Sequence, residues 1–98
     1  MYRNRAYDED LAKELQDPKG AQAFILALME GEDGMELEAA LRHAIRRMGV
    51  KEFSVKSEIA MPNVMSFLAE KRKLKQDSLD RFLRPFRLKT RIVVEKAS

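Results

Sequence analysis

The segment from Lys51 to Leu88 reads KEFSVKSEIAMPNVMSFLAEKRKLKQDSLDRFLRPFRL, and its apolar residues form three short clusters at helical spacing. Only a few residues separate one cluster from the next, which is the layout of a helix-turn-helix. The first cluster brackets a short helix and turn, and the other two form the buried faces of two further helices. The clusters are Phe53 and Ile59; Val64, Phe67 and Leu68; and Leu79, Phe82, Leu83 and Phe86.

The second of these helices is the candidate DNA-binding element. Immediately after it the chain has Lys71, Arg72 and Lys73, with Lys75 close behind. This density of positive charge suits the phosphate backbone of a nucleic acid. The alternative is that the basic run is an ordinary solvated face.

Across the whole chain, too, the basic residues are concentrated in the half that contains these clusters. Residues 1–40 have four Lys and Arg against ten Asp and Glu, whereas residues 41–98 have fifteen against six, and the net charge is +3. The basic half contains the helix-turn-helix pattern, which suits a nucleic-acid ligand. The acidic half then faces solvent or a basic protein partner.

The composition limits the size of the core and the kinds of functional site that the chain can form. A chain of 98 residues with 45% hydrophobic content predicts one compact domain with one modest core. Cysteine is absent, and His43 is the only histidine, which we interpret as an ordinary surface residue. We therefore expect no enzyme, no metal site and no cofactor. No apolar run is long enough for a signal peptide or a membrane span, which predicts a cytoplasmic protein.

Local signals divide the chain into a helical extension over residues 1–34, a helix-turn-helix core over 35–88 and a strand over 89–96. Asp17 and Pro18 are a capping residue followed by a first-turn proline, and Gly31 and Gly34 end the helix that follows. The next helix has one apolar face and ends at Gly49. That face contains Leu37, Leu41, Ala44, Ile45 and Met48, with Arg42, Arg46 and Arg47 mostly off it.

The C-terminal residues change in character after Phe86. Pro85 predicts an early helix end near Arg84, because proline cannot donate to the carbonyl four residues earlier. Beyond it, alternation and β-branched residues predict one strand, and a lone strand needs a partner for its backbone groups. That partner is either the same strand in a second copy of the chain or an edge strand of another protein, and we favour the homodimer. The pairing residues are Thr90, Arg91, Ile92, Val93 and Val94.

The segment GVKEFSVKSEIAMPNVMSFLAEKRKLKQDSLDRFLRPFRL, residues 49–88, resembles the Cro/C1-type helix-turn-helix family. The longer stretch from Tyr7 to the final IVVEK resembles its subfamily of addiction-module antidote proteins, the HigA-like antitoxins. The most specific pieces are PN at residues 62–63, FLAEKR at 67–72 and DSL at 77–79. The resemblance implies an all-α, lambda-repressor-like bundle.

The resemblance also implies a function. Such a protein is a dimeric, sequence-specific transcriptional repressor that binds operator DNA in its own promoter and neutralises a RelE-like toxin of a type II toxin-antitoxin operon. The family's base-reading positions correspond here to Ala60, Met61, Pro62, Asn63 and Ser66. Its phosphate-contacting positions correspond to Lys71 and Arg72, and the patch extends to Lys73 and Lys75. Lys56 is a further candidate phosphate contact.

The chain departs from the family in two respects. The turn of the motif often has glycine, which adopts positive φ at little cost. This chain has Glu58 there, so we expect a non-glycine residue at positive φ. The recognition helix is also unusually apolar. Asn63 and Ser66 can hydrogen-bond to base edges, but Met61 and Met65 offer only apolar contact, for example to a thymine methyl.

Two alternatives remain open at this level. In the first, the fold is kept but Met61, Val64 and Met65 form a protein-binding surface instead of a DNA-binding one. In the second, the protein is an ordinary repressor with no toxin partner. The acidic residues Glu30, Glu32 and Asp33, together with Asp8, Glu9 and Asp10, either complement a basic toxin or are carboxylates favoured at helix starts.

Overall fold

The computed structural model describes residues 13–69 and 73–96. These residues are mostly helical and pack around one hydrophobic core, as an all-α fold requires. Residues 13–16 form a helical turn ahead of five α-helices, and the last helix continues into a short 3-10 helix, Arg84–Phe86. The α-helices are α1, Pro18–Met29; α2, Leu37–Met48; α3, Val50–Ser57; α4, Met61–Leu68; and α5, Gln76–Leu83.

The beginning of α1 follows the signals of the sequence. The side chain of Asp17 accepts a hydrogen bond of 3.3 Å from the Lys19 N–H, and Pro18 occupies the first helical turn, where an N–H has no partner in the helix. The predicted cap is therefore confirmed. Ala21 and Ile25 are fully buried and join α1 to the same core as the later helices.

A tight connection leads from α1 to α2. The N–H of Met35 donates to the carbonyl of Leu28 at 2.8 Å, which folds the connection back onto the end of α1. Gly34 lies so close to this helix end that a Cβ atom there would overlap the Met29 carbonyl oxygen. The glycine is required because the backbone of α1 leaves no space for a side chain.

The boundaries of α2 and α5 also agree with the sequence. Gly49 adopts φ 111° where α2 ends. The helix α5 ends at Leu83, two residues before Pro85, and Arg84–Phe86 continues as a 3-10 turn. Both predicted helix ends are therefore confirmed, as is the buried face of α2 around Leu41 and Ile45. The sequence places Arg42 mostly off this buried face, and that prediction was wrong, because Arg42 is only 9% exposed.

Four phenylalanines hold the C-terminal half of the fold together. The Phe53 ring of α3 lies 5.7 Å, centroid to centroid, from both Phe82 and Phe86, and the Phe67 ring of α4 lies 4.8 Å from Phe82. Aromatic pairs at these separations add to the stabilisation that burial alone provides. The stack fixes α3, α4, α5 and the 3-10 turn relative to one another.

Thr90 anchors the C-terminal segment, residues 89–96, to α5. The backbone N–H and the hydroxyl of Thr90 both donate to Oδ1 of Asp80, each at 2.7 Å. Beyond this point, residues 91–96 are exposed and have no regular secondary structure, and residues 13–69 and 73–96 contain no β-strand. The strand predicted over 89–96 is thus not formed within the described single chain, because a strand needs a second strand to satisfy its backbone groups.

Candidate nucleic-acid interface

The helix α4 divides sharply into a buried and an exposed side. Val64, Phe67 and Leu68 lie in the core, as predicted from the sequence. The opposite side of α4 presents its first turn and Met65 to solvent, with Met61 43% and Met65 52% exposed. Among the predicted base-reading residues, Ala60, Met61, Pro62 and Asn63 are exposed and Ser66 is partly exposed.

The exposed side of α4 has two chemically different faces. Met61 and Met65 are one helical turn apart and form an apolar ridge. Asn63 and Ser66 are three residues apart, share a different face and line a groove beside α4. The predicted base-reading residues are therefore brought together on one short helix, but they do not point in a single direction.

A three-residue turn, residues 58–60, connects α3 to α4. Glu58 adopts the left-handed conformation with φ 59° and ψ 26°, which confirms the predicted positive φ at this non-glycine position. The Ser54 hydroxyl donates to the Ile59 carbonyl at 2.6 Å, and the Ser57 hydroxyl accepts from the Ile59 N–H at 3.2 Å. These bonds from α3 set the direction in which α4 begins.

Two arginines of α2 hold the other end of α4. The Arg42 Nε donates to the Phe67 carbonyl at 2.8 Å, and the Arg46 Nη2 donates to the Leu68 carbonyl at 2.7 Å. The Arg42 guanidinium also lies 4.5 Å from the centroid of the Phe67 ring. Cations at a helix C-terminus satisfy its last carbonyls and interact favourably with its dipole. Sequence reasoning missed this role, although the spacing of four residues between the arginines placed them on one side of α2.

The predicted phosphate-contacting residues are only partly described. Lys73 and Lys75 are exposed and lie on the connection that leads into α5. Lys71 and Arg72 lie outside the described residues. Lys56 is exposed near the end of α3, where its Nζ donates to the Gln16 carbonyl at 2.5 Å.

A groove of about 340 Å³ lies between α4 and α5. Its base contains Phe67 and Phe82, and its α4 wall contains Asn63 and Ser66. Sequence reasoning did not single out the α5 wall, which contains Ser78 and the exposed Arg81. The only signal available was their spacing of three residues, which places two hydrogen-bond donors on one face of a helix. The other lining residues are Glu58, Ile59, Ala60 and Leu74.

The predicted pairing residues of the C-terminal segment differ in their environments. Thr90 is partly buried against Asp80, and its two donated hydrogen bonds, aided by the nearby Lys89 ammonium, lower the pKa of that carboxyl. Arg91 is exposed, and so are the three apolar residues that follow. Those residues are Ile92, Val93 and Val94, at 74%, 62% and 92% exposure.

The chain was compared with known proteins in three ways. The chain matches no protein-family model, no curated protein and no solved structure. Within residues 13–69 and 73–96, no group of three or more His, Asp or Glu side chains is arranged to hold a metal ion. In the same part of the chain, no helix combines the length and the apolar character needed to cross a membrane.

Proposed function

We propose that the protein is a sequence-specific DNA-binding transcriptional repressor in which α3 and α4 form a helix-turn-helix. One observation carries the proposal. The helix α4 is held from both ends by neighbouring helices, yet its first turn, residues 60–63, is exposed. A recognition helix needs this arrangement, since the N-terminal residues of that helix contact base edges in the major groove.

The electrostatics support the same function. The basic half of the chain contains α4 and the exposed Lys73 and Lys75. Phosphate contacts supply most of the affinity of such an interface, and few side chains of α4 can hydrogen-bond to bases. We therefore assign affinity mainly to the lysines and sequence preference to Asn63, whose amide can pair with adenine, with Met61 against a thymine methyl.

The exposed C-terminal residues support a dimer. Ile92, Val93 and Val94 are apolar, lie beyond the anchor at Thr90 and make no backbone–backbone hydrogen bond within residues 13–69 and 73–96. Pairing with the same segment of a second copy would satisfy their backbone groups and bury the side chains. Such a dimer would place two α4 helices on half-sites about 34 Å apart. Footprints that show a single unpaired half-site would count against the dimer.

DNA binding is tested with the promoter region upstream of the protein's own gene, titrated at several salt concentrations. Wild type should bind with a steep salt dependence, because counterions leave each phosphate that a cation contacts. Lys73→Ala/Lys75→Ala should weaken binding and flatten the salt dependence, whereas Asn63→Ala should reduce discrimination between sequences. Lys13→Ala/Lys19→Ala, which removes two exposed lysines ahead of and within α1, is the matched control. Equal effects of the two lysine pairs would contradict the proposed interface.

We further propose that the protein is the antitoxin of a type II toxin-antitoxin operon and binds a RelE-like toxin. Glu30, Glu32 and Asp33 are exposed at the end of α1 and in the connection that follows, and Glu30 is the C-cap of the helix. The macrodipole disfavours a carboxylate at a helix C-terminus, so a helix-start preference does not explain Glu30. A basic protein partner would complement the three carboxylates.

Co-expression with the product of the adjacent gene tests the antitoxin role. Copurification and rescue from toxicity are the expected results, and Glu30→Lys/Glu32→Lys/Asp33→Lys should weaken both while leaving DNA binding intact. Rescue by the charge-reversed variant at wild-type level would exclude this surface. If no neighbouring product is toxic or copurifies, the protein is a repressor without a toxin.

A protein-interaction module remains the second candidate function. The exposed Met61 and Met65 favour it, since adjacent exposed methionines are common on protein-binding surfaces. A gel shift with the upstream region separates the candidates. An interaction module leaves the DNA unshifted, whereas a repressor shifts it and shifts it more weakly in Lys73→Ala/Lys75→Ala.

A further inference from the structure

We propose that the groove between α4 and α5 receives a phosphate of the DNA backbone, and that Arg81 is the principal donor to it. The inference rests on the proposed DNA-binding function and adds a contact from a helix outside the helix-turn-helix. It also gives a second role to Asn63 and Ser66, which line the wall of the groove opposite Arg81.

The construction of the groove supports the proposal. The helix α4 packs on α3 and α5 packs on the 3-10 turn, while α4 and α5 meet through the rings of Phe67 and Phe82, 4.8 Å apart. The aromatic pair forms the base of the groove, and polar side chains of both helices line the walls above it. An occupant would therefore contact the recognition helix and α5 at the same time.

The donors in the groove match an anionic oxygen. Arg81 contributes a guanidinium, whose fork of N–H groups fits phosphate geometry, and it is exposed and accessible. Ser66 and Ser78 contribute hydroxyls, and Asn63 contributes an amide. Polar donors around an apolar base favour a ligand whose oxygens approach from the mouth of the groove.

The position of the groove identifies the anion as a DNA phosphate. Asn63 belongs to the first turn of α4, the part that a recognition helix directs into the major groove. Leu74 lines the groove, and its two chain neighbours are the exposed cations Lys73 and Lys75. A sugar-phosphate strand at the edge of the major groove would therefore meet two lysines and Arg81 together.

Glu58 gives the groove an opposing charge. It lines the same groove as Arg81, and a carboxylate there repels a phosphate. Glu58→Gln removes that repulsion with little change in size and should tighten binding. Two substitutions in one groove are therefore expected to change DNA affinity in opposite directions.

The test measures Kd for the upstream DNA as a function of salt for wild type, Arg81→Ala, Arg81→Lys and Glu58→Gln. One lost phosphate contact reduces the slope of log Kd against log salt by about 0.9, which corresponds to about eightfold weaker binding at 0.1 M salt and convergence near 1 M. Arg81→Ala should show this change, Arg81→Lys should restore most of the slope, and Glu58→Gln should tighten binding severalfold. Thermal melts verify that each variant is folded.

Arg84→Ala is the matched control, because Arg84 is exposed three residues further along but does not line the groove. An unchanged Kd and slope in Arg81→Ala would overturn the inference, and so would equal weakening by Arg81→Ala and Arg84→Ala, which indicates a general effect of net charge. Lost sequence discrimination with an unchanged slope would identify a base contact and overturn it as well. In all three cases wild type still binds DNA, so the proposed function survives. Failure of wild type to bind DNA would overturn both.

Discussion

Replacement of Arg42 by methionine should destabilise the fold more than the same replacement of Arg46, its neighbour one turn along α2. The buried guanidinium makes a 2.8 Å hydrogen bond to the Phe67 carbonyl, contacts the Phe67 ring and lies 3.6 Å from a Glu38 carboxylate oxygen. A hydrogen bond from a charged donor contributes about 1.5–3 kcal/mol, and a partly desolvated cation–π contact contributes about 1 kcal/mol. Methionine retains most of the apolar volume, so the expected loss is about 3 kcal/mol.

This loss is measurable by urea denaturation followed with far-ultraviolet circular dichroism. For a chain of this length, 3 kcal/mol lowers Tm by about 10–20 °C and is a large fraction of total stability. Arg46→Met should cost about 1 kcal/mol, because the more exposed Arg46 makes the corresponding bond to Leu68. Arg84→Met removes an exposed arginine of the 3-10 turn and should change stability by less than about 0.5 kcal/mol.

The order of the three variants is the decisive result. If Arg42→Met were as stable as Arg84→Met, the contacts of Arg42 with α4 would not contribute to stability. A double-mutant cycle with Phe67→Leu then separates the ring contact from the hydrogen bond, since leucine keeps the carbonyl and removes the ring.

Three further predictions concern the turns and the C-terminal anchor. Gly34→Ala should lower the free energy of unfolding by about 1–3 kcal/mol in urea denaturation, because its methyl group would overlap the Met29 carbonyl. Gly31→Ala is the comparison variant, since that position has open space and a positive φ of 83°. Glu58→Gly should raise Tm by a few degrees, about 1 kcal/mol or less, by relieving a left-handed non-glycine residue; a lower Tm would contradict the assigned strain. Hydrogen bonds from Thr90 lower the pKa of the Asp80 carboxyl. At a pH above the ordinary aspartate pKa, the ionised carboxylate should therefore keep Thr90 bound, and Thr90 should be released as the pH falls through the lowered pKa. Amide exchange at Thr90 during acidification measures this release, and Asp80→Asn should lack the pH dependence.

Local signals predicted much of the helical framework. The cap at Asp17, the ends of α2 and α5, and the buried side of α4 follow from residues within one or two turns of the feature concerned. Such signals act over three or four residues, so they can be recognised in a single sequence. The positive φ at Glu58 was predictable only through the resemblance to a motif with glycine at that turn.

The candidate site was predictable in its location but not in its shape. The exposure of Met61 and Asn63 follows from the burial of Val64 and Phe67 on the other side of α4. The separation of the polar residues from the methionines follows from their spacing on α4. The opening of the polar face onto α5 depends on how α5 packs. The sequence contains no local signal for that packing.

The amino-acid sequence by itself therefore determined where α1 begins, where α2 and α5 end, which side of α4 is buried and how charge divides between the two halves of the chain. Only the tertiary structure decided that Arg42 and Arg46 hold the end of α4, across 25 and 22 residues of chain, and that Ser78 and Arg81 face Asn63 and Ser66. The physical reason is the range of the interactions. Capping and periodicity act between residues close in sequence, whereas a long polar side chain bonds to whichever carbonyl the packing of the core brings within reach.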